Sequence, residues 1–166
     1  MLVFEDEAGT LTAKMIDFGY SCFGTSLTAL VTVPRTKGWY APEHNPGKLV
    51  KWNDAQKMDL FSFGLVVCRL LLWEELISGA ALEGLLFPEE DGDDITANLD
   101  YIVDELKGTD RFLKLALSVL DTSSNITGPE HGLLRELFSL TLDLDPRARA
   151  VDFSEILSIL DPSLGP

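Results

Sequence analysis

Asp59-Leu60-Phe61-Ser62-Phe63-Gly64-Leu65-Val66-Val67-Cys68-Arg69-Leu70-Leu71-Leu72-Trp73-Glu74-Glu75-Leu76-Ile77 contains the longest apolar stretch of the chain, Leu60 to Trp73, and its reading decides the fold. Apolar residues fall on every face at a helical period, which predicts a helix buried on all sides rather than along one stripe. Gly64 and Arg69 interrupt the run and Glu74-Glu75 close it, so it is too short and too charged to span a bilayer. It reads as the central core helix of a mainly helical domain.

Shorter elements surround it. Leu2-Val3-Phe4 and Leu11 to Ile16 flank a polar turn with Gly9, the pattern of a β-hairpin over 2–16. Asp17 to Val33 has no clear period and reads as a long loop, Pro34 and Pro42 keep the next part irregular, and Lys48 to Asp59 is polar, a short helix or loop. Helical spacing returns at Leu99–Leu106, Asp110–Leu120 (Phe112, Leu113, Ala116, Leu117, Leu120) and Pro129–Leu142 (Leu133, Leu134, Leu137, Phe138). Asp152 opens the last helix as an N-cap with Glu155 three residues on, a capping-box pattern, and Pro162 ends it.

The chain has 166 residues, 46% of them hydrophobic and 24% charged, values of one globular domain. Thirteen Lys and Arg stand against 27 Asp and Glu, a net charge of −14. A surface that acidic repels phosphate backbones and anionic lipid, so nucleic-acid and membrane partners are not expected. Cys22 and Cys68 are too few for a disulfide scaffold and fit a reducing, intracellular setting, cytoplasmic or nuclear. The acidic run 89–94 does not follow the calcium-loop pattern, because Ile95 stands fifth from Asp91. His44 and His131 lack the spacing of a zinc site with the cysteines, and no Gly-x-Ser-x-Gly nucleophile elbow occurs.

Four motifs remain, in order: Asp17-Phe18-Gly19 after the hairpin; Thr36-Lys37-Gly38-Trp39-Tyr40-Ala41-Pro42-Glu43; Asp59 to Gly64 opening the central helix; and Asp145-Pro146-Arg147-Ala148-Arg149. Together they resemble the C-terminal lobe of a eukaryotic protein kinase of serine/threonine type, over about residues 2–160. The resemblance implies an α+β, mainly α, partial kinase domain over 1–161, with the hairpin at 2–16, an activation segment at 17–43, a helical subdomain at 44–161 and a tail at 162–166. The family activity is ATP-dependent phosphoryl transfer to protein Ser or Thr, with ATP and Mg²⁺ as cofactors.

Residue by residue, the resemblance makes Asp17 the Mg²⁺ ligand, with Phe18 and Gly19 completing the nucleotide-side motif. Thr36, Gly38 and Trp39 become the substrate loop, with Arg35 where the family usually has Gly. Ala41, Pro42, Glu43, Asp59, Gly64 and Arg149 become structural, Glu43 and Arg149 as an ion pair and Asp59 as an acceptor for backbone N–H groups of the catalytic loop. Ser21, Thr25, Ser26, Thr28 and Thr32 are candidate phosphate acceptors, with Arg35 and Lys37 the basic residues near them.

The family's Gly-rich loop, strand Lys and catalytic Asp precede the Asp-Phe-Gly motif, and only residues 1–16 do so here. The expectation is a chain with no N-lobe, no catalytic loop and no catalytic residue, which by itself neither holds ATP tightly nor transfers phosphate. The alternative is a non-catalytic, pseudokinase-like scaffold module. Either way the partner is a protein, as substrate or scaffold, together with a separate segment covering a central helix left partly bare around Phe61 and Leu65.

Overall fold

The computed structural model describes residues 2–5, 7, 9–14, 21–82 and 103–161. Asp17-Phe18-Gly19, the acidic run 89–94 and the tail 162–166 lie outside the described residues. The fold is mainly helical, with two small antiparallel sheets.

Strands β1 (Leu2–Glu5) and β2 (Leu11–Lys14) form the expected hairpin, in the register Leu2↔Lys14 to Glu5↔Leu11. A second pair was not legible: β3 (Leu30–Thr32) runs antiparallel to β4 (Leu49–Lys51) inside stretches read as loop. Three residues are too few to display an alternating pattern, and the pairing joins segments far apart in the chain.

Helix α1 (Trp52–Leu82) begins about two turns before Asp59 and outlasts Ile77. Its early start has a backbone cause. The first N–H groups of a helix lack partners within it. Here Trp52 N–H donates to Ala29 C=O at 2.7 Å and Asn53 N–H to Leu27 C=O at 3.2 Å, so the backbone just ahead of β3 caps the helix. Leu72, with φ −126° and ψ 19°, kinks α1 while remaining fully buried.

Residues 103–106 are helical, followed by α2 (Arg111–Thr122), α3 (Pro129–Thr141) and α4 (Phe153–Leu160). Helix α2 buries Phe112, Leu115, Ala116, Val119 and Leu120, an i, i+3, i+4, i+7, i+8 stripe. Helices α1, α2 and α3 pack on one another, and α4 packs on α3. Asp152 caps α4 as expected, its Oδ1 accepting the N–H of Ser154 (2.9 Å) and of Glu155 (3.4 Å). Glu155 accepts the N–H of Val151 at 2.7 Å, so the reciprocal bond of the box reaches one residue further back than the pattern implies.

The expectation of burial on all faces of α1 is corrected. Phe61 and Leu65 are buried rather than bare. Val66, Leu70 and Leu71 are its exposed apolar residues, at 38%, 70% and 48%. Helices α2 and α3 cover one side of α1, and the Val66–Leu70 side faces away from the core they form.

At Gly64, α1 passes close against the end of α3. A Cβ there would lie 2.3 Å from Thr141 Oγ1 and 2.8 Å from Thr141 Cβ, far inside van der Waals contact. Gly64→Ala therefore forces the helices apart and is expected to lower unfolding stability by about 1–3 kcal/mol in urea titrations. A wild-type midpoint would contradict the close approach.

Candidate functional site

Two turns and a buried cation organise the site. Trp39 N–H donates to Thr36 C=O (3.1 Å), with Gly38 at φ 83°, where an L-residue would be strained. His44 N–H donates to Ala41 C=O (3.0 Å), and this second turn holds Glu43 facing the 143–150 segment. In that segment Asp143 Oδ1 accepts the N–H of Asp145 (2.8 Å) and Asp145 Oδ1 that of Arg147 (2.9 Å). The folded-back segment sends Arg147 outward onto Asp145 and Arg149 inward.

Arg149 has a side chain with 0% exposure, and it pairs with Glu43 through both oxygens: Nη1 to Oε1 at 2.6 Å and Nη2 to Oε2 at 3.0 Å. Its remaining donors reach the carbonyls of Asp143 (Nε, 2.7 Å), Lys57 (Nη1, 3.1 Å) and Leu144 (Nη2, 3.5 Å). The guanidinium carbon lies 4.7 Å from the Phe61 ring centroid. A planar fork of donors fits such a set, where a lysine ammonium would not. Lys57 closes the lock from the other side, its Nζ donating to the carbonyls of Pro146 (2.9 Å), Arg149 (3.3 Å) and Ala150 (3.5 Å).

Between residues 21–44 and the first turns of α1 lies a cleft of about 480 Å³. Thr36, Trp39 and Asp59 share its walls with Cys22, His44 and Ser62. Partial burial of its carboxyl against the cleft raises Asp59 above the ordinary 3.8, although the residue as a whole stays exposed, and among the described residues no donor reaches it. The Cys22 thiol is pushed up by burial and, secondarily, by the Asp59 charge. His44 Nε2 stands 2.9 Å from Val33 C=O; a carbonyl can only accept, so that nitrogen carries the proton. His44 Nδ1 is then a buried acceptor without a partner.

Several residues at the site escaped the sequence. Arg69 sits over two indoles, 5.1 Å from the Trp39 centroid and 4.0 Å from that of Trp73. Tyr40 is met by two cations: Arg35, whose Nη2 donates to its hydroxyl at 2.7 Å, and Lys107, whose Nζ is 3.5 Å from the ring centroid. Lys107 is buried and only 2.5 Å from Asp104 Oδ1, though the contact lies off the line of a hydrogen bond. Arg35 is thus engaged with Tyr40. Nothing local marks Lys57, Arg69 or Lys107, because each is defined by a partner distant in the chain.

The structure therefore brings together Glu43 with Arg149, and Thr36 with Trp39 and Asp59. Gly64 lies behind them at the helix crossing. Asp17, Phe18 and Gly19 lie outside the described residues, which hold no cluster of three or more His, Cys, Asp or Glu side chains suited to a metal ion. No described helix is long and apolar enough to cross a membrane. Both cysteines are free, and burial pushes the Cys68 thiol up to about 12. Compared with known protein families, curated proteins and solved structures, the chain matches none.

Two predictions follow from this geometry. Arg149→Ala leaves Glu43 half-buried without its cation and frees three carbonyls, so a loss of about 3–5 kcal/mol is expected in chemical denaturation. Arg149→Lys should recover less than half of it; full rescue by lysine would show that charge alone, and not the fork, holds the segments. For Asp59 the folded-state carboxyl titrates above its unfolded value. Its stabilising share is therefore present below the ordinary 3.8 and lost as pH rises through the raised value. Because Asp59 stays exposed, Asp59→Asn should raise the melting temperature only slightly at about pH 7, lose that advantage in acid, and speed thiol labelling of Cys22.

Proposed function

We propose that residues 1–161 form the large lobe of a serine/threonine protein-kinase-type domain. The observation that carries this reading is the bidentate Glu43–Arg149 pair. It joins an Ala-Pro-Glu turn to the segment after Asp145-Pro146-Arg147, against the carbonyl of Lys57 at the start of the central helix. Thr36 and Asp59 on one cleft add support, since this reading puts peptide docking at the first and anchoring of a catalytic loop at the second.

In this reading Asp17 would hold Mg²⁺, which would neutralise charge on the phosphates of ATP; the Gly-rich loop, lysine and catalytic Asp on which phosphoryl transfer draws are not among residues 1–166. The Asp59 carboxyl, on the cleft wall without a described donor, is consistent with a site whose hydrogen-bonding segment comes from elsewhere. A second reading, a non-catalytic scaffold module of the same lobe, is favoured by the exposed Leu70 and Leu71 on the central helix.

Two measurements test the proposal. Mg-ATP should leave the melting temperature of this chain unchanged, whereas a shift of several degrees would show a nucleotide site that the reading does not contain. Joined to the small lobe and catalytic loop of a serine/threonine kinase, the chain should support phosphorylation of Ser or Thr peptides, and Asp17→Asn should reduce it by at least about a hundredfold. A folded chimera indifferent to Asp17→Asn would sink the assignment.

A further inference from the structure

We propose that the exposed side of α1, together with α4, docks a basic amphipathic helix of a partner protein. Two apolar stripes carry this inference. On α1, Phe63, Val66 and Leu70 follow at i, i+3, i+7, with Val66 and Leu70 exposed. On α4, Phe153, Leu157 and Leu160 follow at i, i+4, i+7, all exposed. The stripes meet where the Phe63 and Phe153 rings contact edge to face, with centroids 5.5 Å apart. Exposed apolar side chains joined in this way mark an interaction surface rather than scattered surface residues.

Charge chooses the occupant. Asp59 stands one turn before Phe63, and the exposed Glu74 one turn after Leu70. Asp152 and Asp161 stand at the two ends of α4, with Glu155 within it. Helix α4 carries no Lys or Arg. The one cation of α1 beyond Lys57 is Arg69, whose guanidinium is occupied by the Trp39 and Trp73 rings. The apolar stripes are thus bracketed by carboxylates on a chain of net charge −14. A second copy would set like charge against like charge, whereas a helix with leucines on one face and lysines on its flanks matches both features. The inference does not depend on the kinase-type reading, since it uses only exposure and charge.

The test is fluorescence anisotropy of the full chain with a labelled synthetic helix of about five turns, with leucine at i, i+3, i+4, i+7 and lysine elsewhere. A matched peptide with glutamate in place of lysine is the control. The lysine peptide should bind, bind more weakly as salt rises, and lose at least about tenfold in affinity with Leu70→Ser combined with Leu157→Ser. Both leucines are exposed, so the variant should keep its circular dichroism spectrum. Binding unchanged by the leucine substitutions would reveal mere attraction to an acidic protein and overturn the proposal. Equal binding of the glutamate peptide, no binding of either, or a dimer in sedimentation that the same substitutions dissolve would overturn it too.

Discussion

A guanidinium without water contact is the constraint on which the rest of this structure turns. Taking Arg149 out of solvent is unfavourable unless its N–H groups find acceptors, and here they find a carboxylate and three backbone carbonyls. Those acceptors come from three separate stretches: the turn at Glu43, the start of α1 at Lys57, and the 143–144 backbone. Satisfying one side chain therefore sets the relative position of all three. Lys57 repeats the logic in reverse, placing its ammonium on carbonyls of the segment that supplies the arginine.

The central helix is covered unequally. On one side Gly64 admits Thr141 of α3, and α2 presents a continuous apolar stripe, so Phe61, Leu65, Cys68 and Leu72 are sealed. On another, Asp59 lines the cleft without a donor among the described residues. The stripe through Val66 and Leu70 is open. The same helix thus provides the fold's axis, a wall of the cleft and the apolar surface meeting α4. Its α2-facing side answers to packing, and its other sides to what else binds there.

How much could be read in advance depended on whether the determining contact was local. The α2 helix and the Asp152 cap are set within one or two turns, and both were legible, but the buried stripe of α2 runs through Leu115 and Val119 where the spacing had put Leu113 and Leu117, which are only partly buried. The β3–β4 pair was not, since each strand has three residues and its partner lies across a long intervening segment. Nor was the start of α1, whose first N–H groups are satisfied by the carbonyls of Ala29 and Leu27 rather than by a side-chain cap. At the site, Glu43 and Arg149 were legible as a pair only through a motif resemblance. Lys57, Arg69 and Lys107 carried no signal at all.

By itself the sequence determined a mainly helical, acidic domain with an opening hairpin, because apolar periodicity and turn residues act over a few neighbours and net charge is a sum. Which side of the long apolar helix is sealed, which arginine of Arg147 and Arg149 turns inward, and that Asp59 and Thr36 line one cleft were decided only in three dimensions. The physical reason is common to all three. Burial and hydrogen-bond satisfaction are properties of a place in space, and residues distant in the chain must arrive there before either can be assigned.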